Sequence, residues 1–169
     1  MLFRSGDAAF FGSGAGTKSA GPFVAMASTE SGAGYWLTDA NGKVLAFGDA
    51  VIAPSVDGRA PSGNVVGFAP TPSGKGYWLL SRDGRVYVYG DARWRGSIPG
   101  LGGCPLPDAT GIAATASGNG YWITLVSGRV VALGDAAYWG SPSSSGRLAL
   151  DIAAQPTSPV TPPAPTTAG

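Results

Sequence analysis

The tripeptide Gly-Tyr-Trp recurs at Gly34-Tyr35-Trp36, Gly76-Tyr77-Trp78 and Gly120-Tyr121-Trp122, spaced by 42 and 44 residues. A period of this length marks a repeat architecture, so the fold of the whole chain follows from the fold of one unit. A second motif keeps the same period. Gly-Asp-Ala starts at Gly6, Gly48, Gly90 and Gly134, and each copy leads to a bulky residue (Phe10, Ile52, Trp94, Tyr138) and then a serine (Ser13, Ser55, Ser97, Ser141). A third element precedes each Gly-Tyr-Trp: an apolar stretch centred on Met26, Phe68 and Ile112 that runs into Ser31-Gly32, Ser73-Gly74 and Ser117-Gly118. It returns as Ile152-Ala153-Ala154-Gln155, after which no Gly-Tyr-Trp follows.

Each unit reads as short strands joined by tight turns. The first strand is the Met26, Phe68 or Ile112 stretch; the second begins at Tyr-Trp; the third is the apolar run before Gly-Asp-Ala, as in Val86-Tyr87-Val88-Tyr89. Asn41-Gly42, Asp83-Gly84 and Ser127-Gly128 separate second from third. Such pairs supply the positive φ of two-residue hairpin turns and make these strands antiparallel neighbours. A short fourth strand through Trp94 or Tyr138 is expected to end each unit. Several strands are apolar throughout, which implies a small sheet covered on both faces. No segment has helical periodicity.

Four short strands per unit, each sheet sandwiched between its neighbours, predict an all-β, β-propeller-like array of about four blades, one of them incomplete. The repeat domain spans residues 1–158, with units near 22–55, 64–97 and 109–141 and a fourth split between 1–13 and 147–158. Lacking a Gly-Tyr-Trp strand, that split unit leaves strand edges open to self-association. Residues 159–169, Pro-Val-Thr-Pro-Pro-Ala-Pro-Thr-Thr-Ala-Gly, have the composition of a semi-rigid solvated linker.

Composition closes off several chemistries. The 169 residues include 28 Gly and 14 Pro, yet 44% are hydrophobic and 10% aromatic, which describes a folded, turn-dense chain. The 11 Lys and Arg nearly balance 10 Asp and Glu, so no basic surface for nucleic acid is expected. No His is present, which removes Ser-His-Asp and Cys-His catalysis and His-ligated zinc. Cys104 is the single cysteine, so neither an intrachain disulfide nor a cysteine metal cluster is possible. No apolar run is long enough to insert in a membrane as a helix, and residues 1–20 lack the order of a signal peptide, so an export signal is expected outside this chain.

Gly-Tyr-Trp-Leu, then Asp-Gly or Asn-Gly, an apolar strand, Gly-Asp-Ala, an aromatic and Gly-Ser together resemble the propeller-like repeats of secreted actinobacterial proteins. The likeness covers about residues 2 to 158. In such proteins the repeats often stand beside cell-wall or other hydrolase domains joined by Pro/Thr linkers. The resemblance implies an extracellular or cell-wall-associated scaffold or binding role and supplies no catalytic residue.

The repeated acids Asp7, Asp49, Asp91 and Asp135 invite a calcium ring or an acid pair. Calcium takes six to eight oxygens, however, and these acids recur singly. The competing reading is a turn in which each carboxylate accepts backbone N–H groups. Trp36, Trp78 and Trp122, each beside its Tyr, could stack on sugar rings, but their fixed place in every unit suits packing between blades better. Residues that break the repeat are the better ligand candidates: Arg93, Trp94, Arg95, Tyr138 and Trp139 join aromatic area to charge at unit ends. Cys104 sits in an insertion, with no base near it in sequence, and reads as an inert thiol. Gly12-Ser-Gly-Ala-Gly16 lacks the Gly-Lys-Ser/Thr ending of a phosphate loop.

The leading expectation is therefore a non-catalytic extracellular binding or adhesion module for a glycan or protein of the cell envelope, with neither metal nor cofactor. A structural spacer or assembly module of a larger secreted protein is the alternative. A hydrolase with a carboxylate-based central site is a third reading, and it lacks the carboxylate pair it needs.

Overall fold

The computed structural model describes residues 9–19, 21–61, 64–101, 108–141 and 152. Asp7, Cys104, the 159–169 segment and, apart from residues 9–13 and Ile152, the split unit lie outside the described residues. Within them the protein is all-β, with a single 3-10 turn at Ile98–Leu101 and no α-helix.

Nine strands form three separate antiparallel sheets: β1 (Phe23–Ser28), β2 (Gly34–Asp39) and β3 (Val44–Gly48); β4 (Val65–Pro70), β5 (Tyr77–Ser81) and β6 (Val86–Tyr89); β7 (Ala109–Ala114), β8 (Gly120–Leu125) and β9 (Val130–Gly134). Register repeats from sheet to sheet. Met26 pairs with Leu37, Phe68 with Leu79, and Ile112 with Ile123. Each first strand carries the same irregularity, between Phe23 and Ala25, Val65 and Gly67, and Ala109 and Gly111. β4 packs against both β1 and β7, so the first strands are the inner ones.

Side chains alternate across a strand, and this decides how the sheets stack. The rear face of the first sheet presents Ala25, Ala27, Trp36, Val44 and Ala46; these pack on the front face of the second, built from Phe68, Tyr77, Leu79, Tyr87 and Tyr89. The rear face of the second sheet, with Ala69, Trp78, Leu80 and Val88, packs in turn on Ile112, Tyr121, Ile123 and Leu133 of the third. Every residue of β5 is buried because the middle sheet is covered twice. Its strand is therefore apolar throughout rather than alternating.

Gly-Tyr-Trp is the joint of this stack. Tyr and Trp point to opposite faces, and each has an apolar ring with one polar atom that needs a partner when buried. The Tyr hydroxyl reaches the segment arriving from the preceding unit: Tyr77 donates to the Ala53 carbonyl (3.2 Å), Tyr121 to Gly96 (2.7 Å) and Tyr35 to Gly12. The Trp Nε1–H holds the segment leaving its own unit: Trp36 to Val51 O (2.9 Å), Trp78 to Arg93 O (2.9 Å) and Trp122 to Ala137 O (2.7 Å). One strand thus fixes both connections.

Two local expectations are corrected. The second hairpin turn is one residue longer than a two-residue loop: Gly42 N–H donates to Asp39 O, while Asp39 N–H closes on Lys43 O. Gly42, Gly84 and Gly128 have φ of +85, +81 and +82°, whereas the residue before each is not left-handed. This is a turn followed by a left-handed glycine, the common three-residue hairpin loop. No regular fourth strand forms among the described residues. The outer edge of β6 is closed by two pieces: Ser55 bridges Tyr89 and Val56 N–H donates to Val88 O at one end, and Ser97 Oγ and Ile98 bind Val86 and Gly84 at the other. Gly96, at φ +128°, bends the segment so that only its last residues reach its own sheet.

Candidate functional site

Each Asp of Gly-Asp-Ala is tied to the first hairpin turn of its own unit. Asp49 accepts from Thr29 Oγ1 (2.8 Å) and Ser31 Oγ (2.5 Å); Asp91 from Thr71 (2.9 Å) and Ser73 (2.5 Å); Asp135 from Thr115 (2.9 Å) and Ser117 (2.5 Å). The donors are side-chain hydroxyls of a facing turn rather than the backbone amides expected from sequence. These bonds favour the charged form. Ser31 and Thr29 hold Asp49 below the ordinary carboxylate range, and Ser117 does the same for Asp135 against a smaller opposing effect of burial, with Thr115 helping. The lock also explains the first residue of Gly-Tyr-Trp: a Cβ on Gly76 or Gly120 would stand 2.5 Å from the Asp91 or Asp135 oxygen.

A fourth acid, Asp39, was not singled out by the repeat because Ser81 and Leu125 take its place in the other units. It is buried, and burial pushes its carboxyl up. Ser19 Oγ (2.6 Å) and the Lys43 and Asn41 amides (2.9 Å each) outweigh that and bring it below the usual value. Three bonds to one buried oxygen pair describe a turn anchor.

At the end of the inner strands where these locks stand, the three sheets border a common cleft of about 520 Å³. Trp36, Phe68 and Ile112 line it, Ile152 reaches it, and Thr29, Thr71 and Thr115 lie at its edge with their hydroxyls engaged in the locks. Glu30 is its one ionisable lining residue among those described; Pro72 and Ala116 take the equivalent places.

The residues chosen from sequence as ligand candidates fall elsewhere, on the segments that leave the second and third sheets. Trp94 is 62% exposed and Trp139 89% exposed; Arg93 and Tyr138 are also exposed. Arg95 differs from them. It is half-buried, its guanidinium donates to Asn119 Oδ1 (3.0 Å), and its backbone N–H reaches the Tyr121 hydroxyl (3.0 Å), so it belongs to the junction between second and third sheets. Phe10, Ile52, Trp94 and Tyr138 occupy the same place in successive units and all four are exposed. The glycan-stacking reading of Trp36 and Trp78 meets buried rings whose Nε1–H groups are already paired.

No group of three or more His, Cys, Asp or Glu among the described residues is arranged to hold a metal ion. No helix among them is long and apolar enough to cross a membrane. Neither a protein-family model nor a curated protein matches the chain.

Proposed function

We propose that this protein is a non-catalytic binding module that works outside the cell, presenting outward side chains from a propeller-like array of about four units. The fourth unit is split between residues 1–13 and 147–158, as the motif spacing indicates. The observation that carries the reading is the exposure of one bulky apolar residue at the same place in every unit, Phe10, Ile52, Trp94 and Tyr138, with Trp139 beside the last. A monomeric domain scatters exposed apolar groups singly, whereas a position kept bulky and outward through a repeat supplies a row of contacts. Trp94 and Trp139 offer flat rings to the apolar faces of sugars, and Arg93 adds a charged donor for acidic or hydroxyl-rich groups. Glycan of the cell envelope is the ligand class with the best fit to this chemistry. Metal and cofactor have no part in the reading.

The hydrolase reading has less support. It needs two carboxylates about 5 to 9.5 Å apart with free oxygens. Asp49, Asp91 and Asp135 instead each accept two hydroxyls within their own unit.

An array of envelope polysaccharides and peptidoglycan fragments tests the proposal. Saturable binding that falls at least about tenfold, or 1.4 kcal/mol, in Trp94→Ala or Trp139→Ala, with the melting temperature unchanged, is the expected result. No saturable binding to any glycan overturns it in favour of a spacer, and binding indifferent to both substitutions overturns the placement of the ligand on the Trp94 and Trp139 segments.

A further inference from the structure

Three positions that are neutral in the first and third units are cationic in the second. Lys75 stands where Ala33 and Asn119 stand, Arg93 where Val51 and Ala137 stand, and Arg95 where Ala53 and Trp139 stand. The fold brings them onto one segment. The backbone of Lys75 and Gly76 is in contact with Gly90 and Ala92, so Lys75 lies at the start of the outgoing segment 90–97. In its middle the Arg93 carbonyl accepts from Trp78 Nε1–H (2.9 Å), and the Arg93 side chain is exposed. At its far end the Arg95 stem crosses Gly134, its Cγ 3.0 Å from where a Cβ would stand, and its guanidinium donates to Asn119 Oδ1 (3.0 Å) in the first hairpin turn of the third unit. A cation thus stands at the start, middle and end of one segment, with Trp94, 62% exposed, between the two arginines.

These cations lack the partners that occupy others. Arg59, Arg82 and Arg85 are each paired with an aspartate, Asp57, Asp108 and Asp83. Among the described residues no carboxylate forms an ion pair with Lys75, Arg93 or Arg95. Asp91 and Asp135 flank the segment, but each already accepts two hydroxyls from its own hairpin turn, and Arg95 acts on Asp135 only at longer range. Arg95 Nε is also the one buried side-chain nitrogen or oxygen without a hydrogen-bond partner among the described residues. A buried donor left unpaired is a cost. The guanidinium, held by a single side-chain bond, therefore loses little on turning to an oxyanion beside Arg93.

We infer that the surface of Lys75, Arg93, Trp94 and Arg95 binds an acidic glycan, a polymer of sugar or polyol units that carries carboxylate or phosphate groups. A guanidinium fork donates two parallel N–H bonds to the paired oxygens of either group, and the ammonium adds an undirected charge. Trp94 offers its face to the apolar side of a sugar ring. The two flanking aspartates reduce the local positive charge, so a single anion gains little, whereas a chain of repeated anions engages all three cations at once. With 11 Lys and Arg against 10 Asp and Glu, the molecule as a whole does not attract polyanions, and recognition rests on this surface. The inference names the ligand class for the binding function proposed above and rests on it.

The test titrates the full chain with polygalacturonate, poly(glycerol phosphate) and neutral dextran by calorimetry, at low and at physiological salt. Binding of at least one acidic polymer about tenfold or more tighter than dextran is expected, and it should weaken as salt rises. A preference between the two acidic polymers identifies the recognised oxyanion as carboxylate or phosphate. Arg93→Gln and Lys75→Gln, both at exposed positions, should each weaken that binding about threefold or more with the melting temperature unchanged. Arg95→Lys, which keeps the charge and removes the fork, should weaken it as well. Arg129→Gln, in a second hairpin turn at the opposite end of the strands, should leave it in place. Dextran binding as tight as that of both acidic polymers, binding indifferent to Arg93, Lys75 and Arg95, or equal affinity for an oligodeoxythymidylate of matched charge overturns the inference. Binding of a neutral glycan that depends on Trp94 and ignores Arg93 overturns it while leaving the binding function standing; no saturable binding to any glycan removes both.

Discussion

Trp78 and Trp122 hold the same place in successive units, and their substitution by alanine should have unequal costs. Trp78 is 0% exposed, its Nε1–H is bonded to Arg93 O, and its ring stands 5.6 Å from that of Tyr121 in the next sheet. A fully buried aromatic removes roughly 150 to 250 Å² from water, worth about 4 to 6 kcal/mol at 25 cal/mol per Å². Observed truncations of buried Trp and Phe to Ala cost about 3 to 5 kcal/mol. Trp122 makes the same Nε1–H bond to Ala137 O but is only half-buried, because no described sheet packs on the rear of the third. Its truncation should cost about half as much, roughly 1.5 to 2.5 kcal/mol, on the same area argument. For a domain of this size each kcal/mol moves the melting temperature by about 2 to 4 °C, so Trp78→Ala should melt roughly 10 °C below wild type and Trp122→Ala about half that. Trp78→Phe separates packing from the hydrogen bond: it keeps most of the area and leaves the Arg93 carbonyl unpaired, a loss of about 1 to 2 kcal/mol. Thermal melts followed by near-UV circular dichroism, with urea titrations for the free energies, give all three. Equal costs for Trp78 and Trp122, or a Trp78→Ala variant within 1 kcal/mol of wild type, would refute the reasoning that each sheet is sealed by the one after it.

The pH profile should show two losses with a flat region between. Asp39, Asp49, Asp83 and Asp135 all have folded pKa values below their ordinary ones, so the stability they give is present above about pH 4 and is lost as pH falls through the folded values. Tyr77 and Tyr121 are pushed up to about 12 by burial, so their neutral forms stabilise the fold below about pH 10 and that stability is lost between there and 12. With no His in the chain, melting temperature should vary little from pH 5 to 8, and a steep change inside that window would contradict the assignment. Thr71→Val removes the buried hydroxyl that receives the Gly76 N–H at 3.1 Å and donates to Asp91, and should cost about 1 to 3 kcal/mol in a urea melt, whereas Ser73→Ala at the exposed rim should cost less. Chelator should leave the melting curve in place; a drop of many degrees in EDTA would mean that the Asp residues hold an ion rather than the hydroxyls described.

The period, the first three strands of each unit and their antiparallel order were legible in the sequence because Gly-Tyr-Trp and Gly-Asp-Ala bracket each hairpin; the expected fourth strand was not, because Gly96 turns its segment so that only the last residues reach the sheet. Local signals went as far as local physics allows. Asn41-Gly42 announces a left-handed glycine but not whether one or two residues precede it, and the loop came out one residue longer. The donors to Asp49 were hidden for a different reason: Thr29 and Ser31 lie 20 and 18 residues upstream, and only the folded hairpin brings them to the carboxylate. Arg95 looked like a surface cation beside Trp94, and only the packing of Tyr121 reveals that it belongs to a junction. Least legible was the asymmetry of the stack. Met26, Phe68 and Ile112 are chemically alike, so nothing in their identities distinguishes an uncovered face from two covered ones.

Repetition also separates where this molecule can vary from where it cannot. Trp78 touches both neighbouring structures at once, through its ring to the next sheet and through its nitrogen to its own outgoing segment, so a change there disturbs two interfaces together. Gly76 is held to a single residue by the carboxylate and backbone within 2.6 Å of any added Cβ. Such positions are satisfied by folding and have no surface left for a ligand. On the binding function proposed above, specificity resides where equivalent positions differ: Glu30 against Pro72 and Ala116 at the cleft, Trp139 against the buried Ala53, and the exposed Met26 against the buried Phe68 and Ile112. Each of these is exposed, and each differs from its repeat partners in charge, size or cover. On that proposed binding function, substitution at any of them should change what is bound with little change in how the protein melts, the reverse of the outcome at Trp78.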